Sequence, residues 1–177
     1  SYRNLLSRTV ITPRIHQNMI TSADPFAIDT TVYNLTEINE IAGRYGDPGM
    51  VLALQVSMAT EPEALIALDR KLRARREEAL RTTEAEIPPI WLVPLFEGLE
   101  NVRHVRAYLD KLWEYAVQSR RLNQTPEQRL AEMICEIFIA GSDLSQEVGQ
   151  TAALLAFREA KFQIARWLAE RGLVGAV

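Results

Sequence analysis

Three charged residues lie at the ends of apolar runs in this 177-residue chain, where they could support metal-assisted chemistry on a small acid. Glu97 ends one run, Asp143 follows another, and Arg14 closes the run near the start. Two carboxylates supply the hard oxygen ligands that Mg²⁺ or Mn²⁺ prefers. A bound ion could clamp an enolate while the arginine holds a phosphate or carboxylate. On spacing alone, a helix cap or a surface charge is an equal alternative for either acid.

Four apolar runs predict the strands that would position these residues. They are RTVITPRI at 8–15, MVLALQVSMA at 50–59, IWLVPLFE at 90–97 and MICEIFIAG at 133–141. Each has the length of a buried strand and is followed by polar or turn residues before a helical pattern begins. The sequence therefore predicts one α/β domain over residues 1–177 with a parallel sheet. The carboxyl ends of its strands, including Ser57, Met58, Thr60 and Ser142, would meet at one rim.

Helical patterns separate the predicted strands. After a predicted N-cap at Thr60, one apolar stripe comprises Ala64, Leu65, Leu68 and Leu72. A second comprises Val102, Val105, Leu109, Leu112, Trp113 and Ala116. A third, over residues 146–171 with a stop at Gly172, comprises Val148, Ala152, Leu155, Ile164, Trp167 and Leu168. A further helix is predicted at 35–45, with loops at 82–89 and 119–126.

Composition narrows the function classes. The net charge of −3 offers no general attraction to nucleic acid or to an anionic membrane, so neither is expected as a partner. The basic residues at 70–76 are followed at once by glutamates, which predicts a solvated mixed-charge surface. The single Cys135 is predicted to be a small buried hydrophobe, and the expected location is the reducing cytoplasm. Neither a spanning segment nor a signal peptide is expected.

Local sequence resembles the phosphoenolpyruvate carboxylase family. WLVPLFEGLENVRHVRAYLDKL resembles the family's Pro-Leu-Phe-Glu segment, and EIFIAGSDLSQEVGQTAALLAFREAKFQIARWLAERGL resembles the Ser-Asp segment that follows it. Upstream, VLALQVSMATEPEALIALDRKL is similar to a family strand that ends in a Ser-Met pair. RTVITPRIHQN is similar to the arginine strand, in a form closer to the compact archaeal-type enzymes. The resemblance covers residues 9–172.

The resemblance implies a TIM barrel, of which this chain would form an incomplete part. It implies Mg²⁺ or Mn²⁺ held by Glu97 and Asp143, with Arg14 as a catalytic residue that binds phosphate or carboxylate. Ser142 and Gln146 are the further predicted substrate contacts. The implied reaction carboxylates phosphoenolpyruvate with bicarbonate to give oxaloacetate and phosphate, in a homo-oligomer expected to be a tetramer.

Two positions depart from the family pattern. Gln146 stands where bacterial-type enzymes carry a lysine, and Gly141 stands where archaeal-type enzymes carry an arginine. The family's histidine motif and its glycine and arginine loop would both lie outside this sequence, so we expect the chain alone to be inactive. His16 and His104 are predicted to be structural or solvated. Two alternatives stay open: another pyruvate or enolate barrel, such as a citrate-lyase or malyl-lyase relative, and a non-catalytic homologue.

Overall fold

A four-stranded parallel sheet organises the protein, as a computed structural model shows for residues 12–21, 26–45, 50–83 and 87–173. Its strands are β1 (Arg14–His16), β2 (Ala53–Ser57), β3 (Trp91–Phe96) and β4 (Phe138–Ile139), in the order β1-β2-β3-β4. The register pairs Arg14 with Gln55, Ala53 with Trp91, and Leu95 with Phe138. The predicted α/β class with a parallel sheet is therefore confirmed, whereas the barrel stays a prediction.

Helices connect the strands, as the alternating pattern predicted. They are α1 (Asn18–Thr21), α2 (Ala27–Arg44), α3 (Pro62–Thr83), α4 (Leu99–Arg103), α5 (Val105–Ser119), α6 (Pro126–Met133), α7 (Gly141–Val148) and α8 (Gln150–Glu170). No helix in the described ranges is both long and apolar enough to cross a membrane.

The core lies where the two central strands meet α3 and α5. Strands β2 and β3 are buried along nearly their whole length, because side chains on both faces of a parallel sheet are covered. Both predicted stripes on these helices pack inward: all four residues on α3 are buried, and on α4 and α5 only Trp113 remains half-buried. Leu65, Leu68 and Leu112 are completely inaccessible to solvent. The sheet is thus held rigidly at its centre.

Helix α6 was not predicted, although its first residues carry a recognisable signal. The Thr125 side chain accepts a hydrogen bond from the Gln128 backbone, the Gln128 side chain accepts one from the Thr125 backbone, and Pro126 opens the helix. This capping box satisfies two backbone donors at a helix start. The stretch between α5 and β4 therefore contains a further helix over Pro126–Met133.

A buried polar network anchors α6 to the core. The Arg129 guanidinium pairs with Asp69 of α3, and the Tyr115 hydroxyl donates to the same carboxylate at 2.7 Å. Arg129 also donates through Nε to Ser119 Oγ at 3.0 Å. Charges removed from water need partners of this kind, so α3, α5 and α6 are fixed by one network.

Several predicted boundaries were wrong. The fourth strand reduces to Phe138–Ile139 plus a single bridge from Ile134 to Leu92. The helix predicted at 35–45 is α2, which already begins at Ala27, and the predicted loop at 82–89 begins only after Thr83. Residues 8–11 of the first predicted strand and 84–86 of that loop lie outside the described residues.

The end of the chain also differs from its predicted pattern. Gly149, with φ 80°, separates α7 from α8, because a left-handed residue interrupts the helical ladder. Ala152 and Leu155 are exposed, whereas Ile164 and Trp167 of the same predicted stripe are buried. The predicted stop is confirmed, since α8 ends at Glu170 and Gly172 is left-handed.

Cys135 is exposed, so its predicted place in the core was wrong. It lies between the Ile134 bridge and β4, outside any regular strand, and the apolar run around it does not continue as one buried strand. Partial desolvation and the neighbouring Glu136 raise the pKa of the thiol, which keeps Cys135 a weak nucleophile at neutral pH.

Candidate functional site

Arg14 and Glu97 form an ion pair across the carboxyl end of β2. Arg14 comes from β1 and Glu97 follows β3, so the pair spans β2, which lies between them. The side chain of Arg14 is 51% exposed, whereas that of Glu97 is only 6% exposed. The predicted shared position of these two residues is confirmed as a contact.

Arg14 lies at the start of its strand and not at the rim itself. Arg14 was predicted to end its strand, but it is the first residue of β1 and lies opposite Gln55, the middle residue of β2. Its long side chain, and not its backbone position, reaches the rim where Glu97 lies. Arginine can do this because its flexible stem carries the guanidinium several ångströms from the backbone.

The second oxygen of Glu97 holds the turn that follows β2. Glu97 Oε2 accepts a hydrogen bond from the Met58 backbone at 3.1 Å. Met58 has φ 55°, a left-handed conformation that non-glycine residues rarely adopt. Such strain persists only where neighbouring contacts maintain it, and it concentrates at functional sites. Both oxygens of Glu97 are thus engaged, one by β1 and one by the end of β2.

Gln17 fixes the loop beside Met58, and sequence reasoning missed it. Its buried side chain accepts hydrogen bonds from the backbones of Thr60 and Glu61, each at 2.9 Å, and donates to Thr60 Oγ1 at 2.7 Å. Thr60 itself lies one residue before the N-cap position, because α3 begins at Pro62. No local pattern marks Gln17, since its partners lie more than 40 residues away.

Asp143 lies inside the first turn of α7, which begins at Gly141, and not before a helix as predicted. Asp143 and Ser142 are exposed and joined only by a 3.5 Å contact between Ser142 Oγ and Asp143 Oδ1. The end of β4 does adjoin the end of β3, because the Ala140 backbone donates to Phe96 O at 2.9 Å. Gln146 is exposed one turn further along the helix.

Glu147 is the acid of α7 that reaches the segment after Glu97. Its Oε2 accepts a hydrogen bond from the Leu99 backbone at 2.9 Å and so caps the start of α4. A Cβ at Gly98 would lie 3.5 Å from this oxygen, an ordinary contact distance. Sequence reasoning missed Glu147, because the position next to the predicted strand end selected Asp143, the other acid of this helix.

Glu97 could coordinate a divalent ion only if its present contacts with Arg14 and the Met58 backbone changed. Within the described residues, no group of three or more His, Cys, Asp or Glu side chains is placed to hold a metal. Mg²⁺ needs few protein carboxylates, but those it uses must be free to coordinate. Glu97 is occupied by Arg14 and Met58, so the predicted pairing of Glu97 with Asp143 on one ion stays a prediction.

The two histidines have local roles. His16 Nδ1 accepts a hydrogen bond from the Asn18 backbone at 3.1 Å, at the start of α1. His104 is exposed at the junction of α4 and α5, and its Nδ1 lies 2.9 Å from Glu100 O. Neither histidine contacts Arg14 or Glu97 in the described contacts, as expected for structural or solvated residues.

The protein is of the α/β class with a parallel sheet. The half-exposed side chain of Arg14 lies at the carboxyl edge of that sheet. No protein-family model matches the chain, and a search of curated proteins also finds no match.

Proposed function

We propose that this chain is part of a phosphoenolpyruvate carboxylase-like enzyme, and that the carboxyl edge of the sheet binds the phosphorylated enol acid. The observation that carries the proposal is the half-exposed Arg14 beside the buried Glu97. Anionic substrates bind parallel α/β proteins at this edge, where arginine offers planar, bidentate recognition of phosphate or carboxylate. The four segments that resemble the family supply the choice of substrate.

Arg14 has donors to spare for such an anion. A guanidinium carries five N–H donors, and the described contacts give Arg14 one hydrogen bond, from Nη2 to Glu97. The Arg14 side chain is half-exposed. An incoming phosphate or carboxylate can therefore bind Arg14 while Glu97 keeps the guanidinium oriented, which fixes the anion relative to the sheet.

Ser142 and Gln146 would contact the substrate from α7. They are four residues apart in one helix, a spacing that places them on the same face. Both are exposed, so a hydroxyl and an amide are available for hydrogen bonds. Glu97 would hold Mg²⁺ or Mn²⁺ together with Asp143 only after it released Arg14 and the Met58 backbone, and the ion would then supply Lewis-acid stabilisation of the enolate.

Calorimetric titration of the chain with phosphoenolpyruvate in the presence of Mn²⁺ tests this proposal. Arg14→Gln should weaken binding about tenfold or more, since a charge-assisted bidentate contact is lost. Arg158→Gln, at an exposed arginine of α8, is the matched control and should bind as the unmodified chain does. Equal affinity in the Arg14→Gln variant would remove the basis of the proposal.

A non-catalytic homologue is the second candidate. The observation that favours it is the engagement of both Glu97 oxygens, together with Gly141 and Gln146 where the family carries cations. In that case phosphoenolpyruvate would bind without any dependence on Mn²⁺. The same titration, repeated with a chelator, separates the two candidates.

A further inference from the structure

Glu97 is a buried acid whose charge has one cationic partner among the described ion pairs. It directly follows β3, and the guanidinium of Arg14 pairs with its Oε1. A carboxylate removed from water is costly unless a cation or hydrogen-bond donors compensate its charge. Arg14 therefore supplies at Glu97 the positive charge that a bound metal ion would otherwise supply.

The two oxygens of Glu97 differ in how they are held. Oε2 accepts a hydrogen bond from the Met58 backbone at 3.1 Å, in a left-handed turn beside the loop that Gln17 fixes. Oε1 is held by Arg14, whose long side chain is half-exposed. Oε1 can therefore change partners through a side-chain movement alone, whereas release of Oε2 breaks a backbone contact. An ion that binds Glu97 through Oε1 must replace Arg14.

The other acids near this rim do not balance a second cation. Glu147 already accepts a hydrogen bond from the Leu99 backbone at 2.9 Å. Asp143 is exposed in the same helix, and within the described residues no group of three or more His, Cys, Asp or Glu side chains could hold a metal. A guanidinium and a divalent ion on one carboxylate would repel each other, because their positive charges outnumber its single negative charge.

We propose that Arg14 is the built-in cation of Glu97, and that Arg14 and a divalent ion exclude each other at this carboxylate. The inference rests on the proposed function in one respect, the choice of Glu97 as a metal ligand. Without an ion, Glu97 orients the guanidinium at the rim. With an ion on Glu97, Arg14 loses that partner and all its donors become available to a phosphate or carboxylate. By linkage, such an anion raises the affinity for the ion by the same factor as the ion raises the affinity for the anion.

Binding of Mn²⁺ alone, followed by electron paramagnetic resonance of the free ion, tests this exclusion. Arg14→Gln should bind Mn²⁺ about tenfold or more tightly than the unmodified chain, because the competing cation is lost. Arg14→Lys keeps a positive charge at this position, so its affinity should return toward that of the unmodified chain. Arg158→Gln, which removes a charge from an exposed position of α8, is the matched control and should leave the affinity unchanged.

A double variant locates the ion. Arg14→Gln combined with Glu97→Gln should lose the gain in Mn²⁺ affinity, because the carboxylate that takes the ion is gone. Equal or weaker Mn²⁺ binding by Arg14→Gln would overturn the proposal, and so would a gain that persists in the double variant.

The unmodified chain supplies an independent measurement if a variant does not fold. Titration with Mg²⁺ in the absence of any phosphate or carboxylate should shift the Arg14 Nε–H resonance saturably, because the guanidinium leaves Glu97. The Arg129 resonance should stay unchanged, since Arg129 is paired with the buried Asp69. An unchanged Arg14 resonance would overturn the proposal.

None of these measurements contains phosphoenolpyruvate. Failure of phosphoenolpyruvate to bind would therefore remove the proposed function and leave the exclusion of Arg14 and the ion in place. Equal Mn²⁺ affinity in Arg14→Gln would instead remove the exclusion alone.

Discussion

Two arginine-carboxylate pairs of this molecule use the same chemistry in opposite surroundings. In the rim pair, Arg14 is 51% exposed and Glu97 6%, whereas in the core pair Arg129 is 1% exposed and Asp69 7%. Arg129 also donates to Ser119 and lies 5.5 Å from the centre of the Tyr115 ring, so its surroundings are closed. The core pair therefore lies in closed surroundings within the fold, whereas the guanidinium of the rim pair remains accessible to solvent.

Breaking the core pair should have the largest effect. Arg129→Met leaves Asp69 buried with only the Tyr115 hydroxyl as partner, which should lower the free energy of unfolding by about 3–5 kcal/mol. Urea denaturation measures this loss. The double variant Arg129→Met with Asp69→Leu should recover much of it, because no buried charge is then left alone. A single-variant loss below about 1 kcal/mol would contradict the structural role of this pair.

Replacing Gln17, which holds the loop beside the rim, should have the next largest effect on stability. Gln17→Leu keeps a side chain of similar volume but removes the acceptor for the Thr60 and Glu61 backbones. The free energy of unfolding, measured by urea denaturation, should fall by about 1–3 kcal/mol. Gln17→Glu, which retains a carboxyl acceptor at that point, is the control and should lose less. An equal loss in both variants would mean that packing, and not hydrogen bonding, explains the role of Gln17.

Breaking the rim pair should have a smaller effect on stability. Glu97→Gln keeps an acceptor for the Met58 backbone and leaves Arg14 able to turn to water, so we expect a loss of about 1 kcal/mol or less. Urea denaturation of the Glu97→Gln and Arg129→Met variants under the same conditions compares the two losses of unfolding free energy directly. A loss as large as that of the core variant would show that the rim pair is structural.

The smallest effect at neutral pH is expected for Tyr108→Phe, which removes a hydroxyl that has no hydrogen-bond partner among the described residues. Its consequence should emerge only at alkaline pH. Burial raises the pKa of Tyr108 in the folded chain, so above pH about 10 the unfolded state loses the phenol proton first and stability falls with rising pH. The variant should show a flatter decline over that range than the unmodified chain. An identical decline would show that Tyr108 titrates normally.

The sequence predicts those parts of the fold that depend on local periodicity. Strands β2 and β3 and the inward faces of α3 and α5 follow from apolar runs and stripes, which the structure confirms. The fourth strand was predicted too long, because only two residues of the run at 133–141 form a strand. Helix α6 was not predicted, although Thr125 and Gln128 signal its start.

The candidate site was predictable only in part. Arg14 and Glu97 were predicted to share one rim because parallel strands share one carboxyl edge, although Arg14 begins β1 and reaches that rim only through its long side chain. Gln17 and Glu147 could not, since their partners are distant in sequence and amide or acid residues of this kind are common on surfaces. Long-range hydrogen bonds of single side chains leave no periodic trace.

We propose that the rim arginine, Arg14, receives an anion, whereas the core arginine, Arg129, does not. NMR of arginine Nε–H groups during titration with phosphoenolpyruvate and the diamagnetic Mg²⁺ observes both in one sample. We predict a saturable shift of the Arg14 resonance while the Arg129 resonance, fixed by Asp69 and Ser119, stays unchanged. An unchanged Arg14 resonance at saturating phosphoenolpyruvate would contradict the assignment of the rim as its binding site.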